Sequence, residues 1–148
     1  MLRSTLIKKE QVIGADKVFF DTSPFIYLIE DNPKYAEAVA SYIADEIILF
    51  EAKLCTSTIT LAEFYVKPKR SNKLAIIEKF RNKLREHKFI VFDITEHIAE
   101  LSADLRAKYL FRKNFDALQL ATAISSGCTK FLLTIRIETS KRNYYNFN

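Results

Sequence analysis

Glycine is almost missing from this chain: Gly14 and Gly127 are the only two among 148 residues. A phosphate-cradling loop of the P-loop or dinucleotide type needs several glycines in one short stretch, so both classes are excluded. Cysteine is equally scarce. Cys55 and Cys128 share no short motif spacing and each borders an apolar stretch, which predicts buried free thiols rather than a redox or metal pair. The two histidines, His87 and His97, lack metal-ligand spacing and are assigned no catalytic role. No apolar run reaches the ~18 residues of a membrane span. Residues 1–17 are basic but hold no apolar core of the ~7–15 residues that a signal peptide needs. A soluble cytoplasmic protein without a membrane partner is the expectation, and no repeat, low-complexity tract or linker divides it.

What is present is enough for one domain: 49% of the 148 residues are apolar, sufficient for a proper core. Within that apolar background three acids stand almost alone. Asp21 follows Val18-Phe19-Phe20, Glu63 lies between Leu61-Ala62 and Phe64-Tyr65, and Asp116 precedes Ala117-Leu118-Gln119-Leu120-Ala121. Acids are costly to bury unless they are paired or hold a cation. The formal charge of the chain is +5, opposite in sign to these three sites. A basic exterior around an acidic pocket follows, an arrangement suited to a polyanion processed at a metal. Taken singly, Asp21 and Asp116 also fit helix capping, because an acid gains from the free amides and dipole at a helix start. A phospho-accepting receiver domain is excluded, since Asp21 has Thr22-Ser23 beside it and no acidic pair follows the first strand.

The pattern along the chain alternates strand and helix. A buried strand is expected over 17–20, then a helix from Thr22 to about Glu30 with Pro24 in its first turn, then a second helix from Tyr35 to about Ala52. A strand over 54–57 leads into a helix capped by Thr58 and ended by Pro68. Ser71 opens an amphipathic helix with Leu74, Ile77, Phe80 or Arg81, and Leu84 inward. A strand over 89–92, a helix capped by Thr95, a helix from Asn114 to Ile124 ending at Gly127, and a strand over 130–134 complete the pass. The tail around Tyr144-Tyr145-Asn146-Phe147 is read as either a fifth strand or frayed chain. Such alternation predicts an α/β domain with a mainly parallel sheet, in which ligands bind beyond the carboxyl ends of the strands. The expected division is an N-terminal extension over 1–16 and one domain over 17–148.

Three segments in order resemble the signature blocks of the PIN-domain family, in particular its VapC-like toxins of toxin–antitoxin pairs. They are Val18-Phe19-Phe20-Asp21-Thr22-Ser23-Pro24, then Ser57-Thr58-Ile59-Thr60-Leu61-Ala62-Glu63-Phe64, then Asp116-Ala117-Leu118-Gln119-Leu120-Ala121-Thr122-Ala123. The resemblance runs from about Lys17 to Thr134. It implies a PIN-like three-layer α/β/α domain whose sheet of about five strands is parallel, and a Mg²⁺- or Mn²⁺-dependent endoribonuclease with Asp21, Glu63 and Asp116 as catalytic metal ligands. Ser23 and Thr134 are candidate supporting hydroxyls, or else a plain helix cap and a strand-end hydroxyl. Where the family has a fourth aspartate this chain has Arg136, with Glu138 two residues on. That exchange disfavours a second metal ion and opens an alternative reading, a weakened PIN domain that binds RNA or a protein without cutting it.

Lys67, Lys69, Arg70 and Lys73 around Pro68, with Arg112 and Lys113 before Asp116, are candidates to guide an RNA backbone, or else a solvated face. By resemblance the partners are RNA, a small antitoxin over the pocket and a second copy in a homodimer. Phe25, Ile26, Tyr27 and Leu28 are read either as core or as a patch for such contacts.

Overall fold

The computed structural model describes residues 16–111, 113–132 and 145–146. Four parallel strands, β1 (Lys17–Phe20), β2 (Lys53–Ser57), β3 (Ile90–Phe92) and β4 (Lys130–Leu132), form the sheet with a two-residue β5 (Tyr145–Asn146). The strand order is β3-β2-β1-β4-β5, and β5 runs antiparallel to β4. The mainly parallel sheet is as expected, with its last strand departing from the all-parallel arrangement that the resemblance implies. Six helices complete the described chain: α1 (Thr22–Ile29), α2 (Ala36–Phe50), α3 (Thr58–Arg70), α4 (Leu74–Glu86), α5 (Glu96–Lys108) and α6 (Asn114–Ser125). None is long and apolar enough to cross a membrane.

Alternation along β1 explains the three layers. Val18 and Phe20 point to one face, where they pack with Phe25 and Ile29 of α1, Val39 and Ile43 of α2, Phe64 of α3 and Phe80 of α4. Phe19 points to the other face and meets Cys55, Ala123 of α6, Cys128 and Phe131. A strand covered on both faces reads as an unbroken apolar run, which is why Val18-Phe19-Phe20 shows no polar alternation. Phe25 is thus core, and Ile26, Tyr27 and Leu28 pack against that core rather than forming an open patch. Both cysteines are free and buried as expected, in one cluster where their mutual interaction holds the Cys55 pKa down and pushes that of Cys128 up, and Cys55 Sγ–H donates to Lys53 O at 3.9 Å.

Three helix boundaries differ from the sequence reading. Pro68 lies inside α3, which continues to Arg70. A proline this near the end removes a single helical N–H, and the last turn closes without it: Ser71 N–H donates to Lys67 O at 3.1 Å and Lys73 N–H to Pro68 O at 2.8 Å. Ser71 does not open α4; its hydroxyl turns back to Lys67 O at 2.9 Å, closing α3, and α4 begins at Leu74. Leu74 is accordingly exposed, whereas Ile77 and Phe80 are buried. Similarly the cap of α3 is Ser57, one residue before the expected Thr58, with its Oγ accepting from Ile59 N–H at 3.1 Å. Thr95 caps α5 as expected, and Gly127 follows α6 with φ +71°, the left-handed position anticipated for it.

Candidate metal centre

Because β1, β2 and β4 are parallel, their carboxyl ends share one edge of the sheet. The order β2-β1-β4 makes the chain reverse its winding between β1 and β4, the kind of switch point where α/β sheets open a crevice. Asp21 stands there, its backbone N–H bonded to Leu132 O at the end of β4 at 3.1 Å. The helix α3 starts from the end of β2 and carries Glu63 one and a half turns down. In α6, which leads into β4, Asp116 occupies the first turn.

Capping alone does not account for Asp21. Although Asp21 holds the N-cap position of α1, its side chain makes no capping hydrogen bond. Burial is the chief influence on its carboxyl and pushes its pKa up. Thr22 N–H and the Gln119 amide pull it down, while the negative fields of Glu63 and Asp116 push it further up. All three acids are half-buried.

Neutral donors hold two of them. Thr22 Oγ1 donates to Glu63 Oε1 at 2.8 Å, and Gln119 Nε2 donates to Asp21 Oδ1 at 3.3 Å. Behind them lies a buried polar cluster: Gln119 Nε2 also donates to Thr60 Oγ1 at 2.8 Å, Ser57 Oγ donates to Gln119 Oε1, and Thr56 Oγ1 lies 2.8 Å from both Thr60 Oγ1 and Phe20 O. None of the ion pairs among the described residues engages Asp21, Glu63 or Asp116.

Three acids with no ion pair among the described residues fit a divalent cation, and an all-oxygen donor set fits a hard one. As placed, no three His, Cys, Asp or Glu side chains among the described residues are close enough to hold an ion jointly. Mg²⁺ takes one or two protein carboxylates directly and keeps several waters, so a looser trio suits it.

Of the other residues singled out in the sequence, Ser23 is half-buried in the first turn of α1, beside the Thr22 that reaches Glu63. Lys69, Arg70 and Lys73 are exposed at the end of α3 and just after it, and Lys113 is exposed before α6. Arg112, Thr134, Arg136 and Glu138 lie outside the described residues. Thr22, Ser57, Thr60 and Gln119 were not singled out. The available signal was that hydroxyls and an amide interrupt otherwise apolar positions: Gln119 sits alone between Ala117-Leu118 and Leu120-Ala121, three residues after Asp116.

A profile of the PIN domain matches residues 18–134. A comparison with curated proteins returns no match. Among solved structures, the chain is similar to VapBC2 from Rickettsia felis bound to a DNA fragment from their promoter, with 23% identity, 76% of this chain and 83% of that one covered, and a TM-score of 0.56. It is also similar to a toxin–antitoxin complex from Klebsiella pneumoniae, with 25% identity, 77% and 82% covered, and a TM-score of 0.56. VapC20 of Mycobacterium tuberculosis, a sarcin–ricin loop cleaving toxin, shares the fold at 16% identity, 81% and 91% covered, and a TM-score of 0.65.

Proposed function

The chain belongs to the PIN domain family, and on that premise we propose that it is a Mg²⁺- or Mn²⁺-dependent endoribonuclease of the VapC toxin type. The observation that carries this reading is geometric: Thr22, next to Asp21, donates to Glu63 at 2.8 Å, and Gln119, one turn after Asp116, donates to Asp21 at 3.3 Å, so hydrogen bonds tie together the three segments that carry the acids at the carboxyl edge of the sheet. Asp21, Glu63 and Asp116 would hold the ion. A divalent cation bound there supplies positive charge to the scissile phosphate and an activated water. The protein's own part is positional. Thr22 holds Glu63 and Gln119 holds Asp21, so two acids are oriented before substrate arrives. Ser23 and Thr134 are proposed as further hydroxyls beside the acids. We keep residues 1–16 as an extension outside the catalytic domain, and a small antitoxin, with homodimerisation, as the expected partners in the cytoplasm.

Purified full-length protein should cut RNA with Mn²⁺ or Mg²⁺ present and stop when EDTA is added. Cleavage that persists in EDTA would sink the metal-dependent reading. Arg136 favours one second reading, a PIN domain that binds without cutting, because an arginine stands where the family has an acid. Under it the wild type binds RNA but leaves it intact with either metal, and Arg136→Asp restores cleavage.

Lys69, Arg70 and Lys73, with Arg112 and Lys113, are proposed to track the RNA backbone toward the acids. Each phosphate contact on a single strand adds about 0.7 to the slope of log affinity against log salt. Replacing Lys69, Arg70 and Lys73 together by Ala should therefore flatten that slope by roughly 2. An unchanged slope returns them to an ordinary solvated surface.

A further inference from the structure

Gln119 is 1% exposed, so its amide must find its partners inside the protein. The directions of its bonds are settled by chemistry. An ionised carboxylate oxygen only accepts, so the atom 3.3 Å from Asp21 Oδ1 is the amide nitrogen, and the amide oxygen faces Ser57. Ser57 Oγ already accepts from Ile59 N–H, leaving its proton for that oxygen. The second amide hydrogen goes to Thr60 Oγ1 at 2.8 Å. Thr56 has one hydroxyl proton, which it gives to Phe20 O, so in the Thr56–Thr60 contact the proton is Thr60's. Hydrogen bonds thus run outward from the Gln119 amide nitrogen in two directions, to the carboxylate of Asp21 and through Thr60 and Thr56 to the backbone carbonyl of the residue just before Asp21.

We infer that Gln119, locked by Ser57 and Thr60, is a positioning residue that fixes the orientation in which Asp21 meets a divalent cation. The inference deepens the proposed function and rests on its metal-binding reading. The structural economy of the arrangement supports it: Gln119 lies one turn after Asp116 on α6, Ser57 and Thr60 bracket the start of the helix that carries Glu63, and the hydrogen bonds return to β1 before Asp21. One buried amide therefore ties together the three elements that supply the acids. A residue that only filled space between these elements would not need a donor aimed at the carboxylate.

The test is Mn²⁺ binding to the full-length protein, followed by the paramagnetic signal of free Mn²⁺, well below the melting temperature. Gln119→Met keeps length and volume but removes the donor. Its Mn²⁺ dissociation constant should rise about tenfold, the low end of what losing a hydrogen-bond partner of a metal ligand costs. RNA cleavage should recover when Mn²⁺ is raised to saturation. Purely structural damage would instead lower the maximal rate at every Mn²⁺ concentration. If Gln119→Met does not fold, Ser57→Ala frees the amide to turn and should weaken Mn²⁺ binding in the same direction, about threefold. A folded Gln119→Met or Ser57→Ala protein with wild-type Mn²⁺ affinity overturns the positioning role alone. Wild-type protein that binds no Mn²⁺ overturns the metal-binding reading, and this inference with it.

Discussion

Asp21→Asn should lower metal-dependent RNA cleavage by about 10²–10³-fold, the scale of removing one preorganised electrostatic group, and at the same time raise the melting temperature at neutral pH. The two effects share one cause. Burial, with the fields of Glu63 and Asp116 behind it, leaves the Asp21 carboxyl with a folded-state pKa above its ordinary value of 3.8. The native state then binds this proton more readily than the unfolded chain does. Stability contributed by this residue therefore falls as pH rises from the ordinary value through the raised one, and the penalty is complete above it. Asparagine carries no charge and can still accept from Gln119, so the penalty disappears. A gain of about 1 kcal/mol is in line with relieving strain at a functional site, or about 3 °C for a chain of this size. It should vanish in melts below the ordinary carboxylate range. A variant that loses activity and stability together would show that Asp21 holds the fold rather than a cation.

Much of this was legible from residue types alone because the local and global signals agree. Val18-Phe19-Phe20 can only be a strand covered on both faces, and the acid that follows such a strand must lie at its carboxyl edge. Thr95 and Gly127 mark the ends of α5 and α6 by backbone chemistry that needs no tertiary partner. Where the reading missed, long-range packing decided. Pro68 is expected to stop α3, but it is buried and the turn beyond it is closed by Ser71, so burial and a side-chain bond carry the helix two residues further.

The candidate site was legible in its charges and illegible in its neutral supports. Asp21, Glu63 and Asp116 stood out because an acid in an apolar stretch has an energetic cost that demands a reason. Gln119, Ser57 and Thr60 carry no such cost once paired, and their pairing joins residues 59 and 62 positions apart in sequence. No spacing rule reports a contact made across a parallel sheet. The same limit applies to Thr22, which reaches Glu63 across 41 positions, whereas the adjacent Ser23 was the hydroxyl chosen from the sequence.

Packing under the site should be separable from the site itself, and Phe80 is the place to divide them. Its ring is fully buried, stacks on Phe64 at 4.3 Å, and meets the edges of Phe25 at 5.2 Å and Tyr65 at 5.9 Å, so it holds α4 against both α1 and α3. Phe80→Ala removes that ring and leaves a cavity that aromatic neighbours cannot readily fill. The expected cost is about 3–5 kcal/mol, visible as a melting temperature lowered by roughly 10 °C or more. Mn²⁺ affinity measured below that transition should nevertheless stay within about threefold of wild type. Glu63 is anchored by Thr22 and the start of α3 by Ser57, and neither bond involves α4. Second-sphere losses at a metal run to tenfold and beyond, so the threefold limit distinguishes the two classes of change. If Mn²⁺ affinity instead falls tenfold in folded Phe80→Ala protein, the acids are held by the aromatic layer beneath α3, and the hydrogen-bonded supports described above are not what orients them.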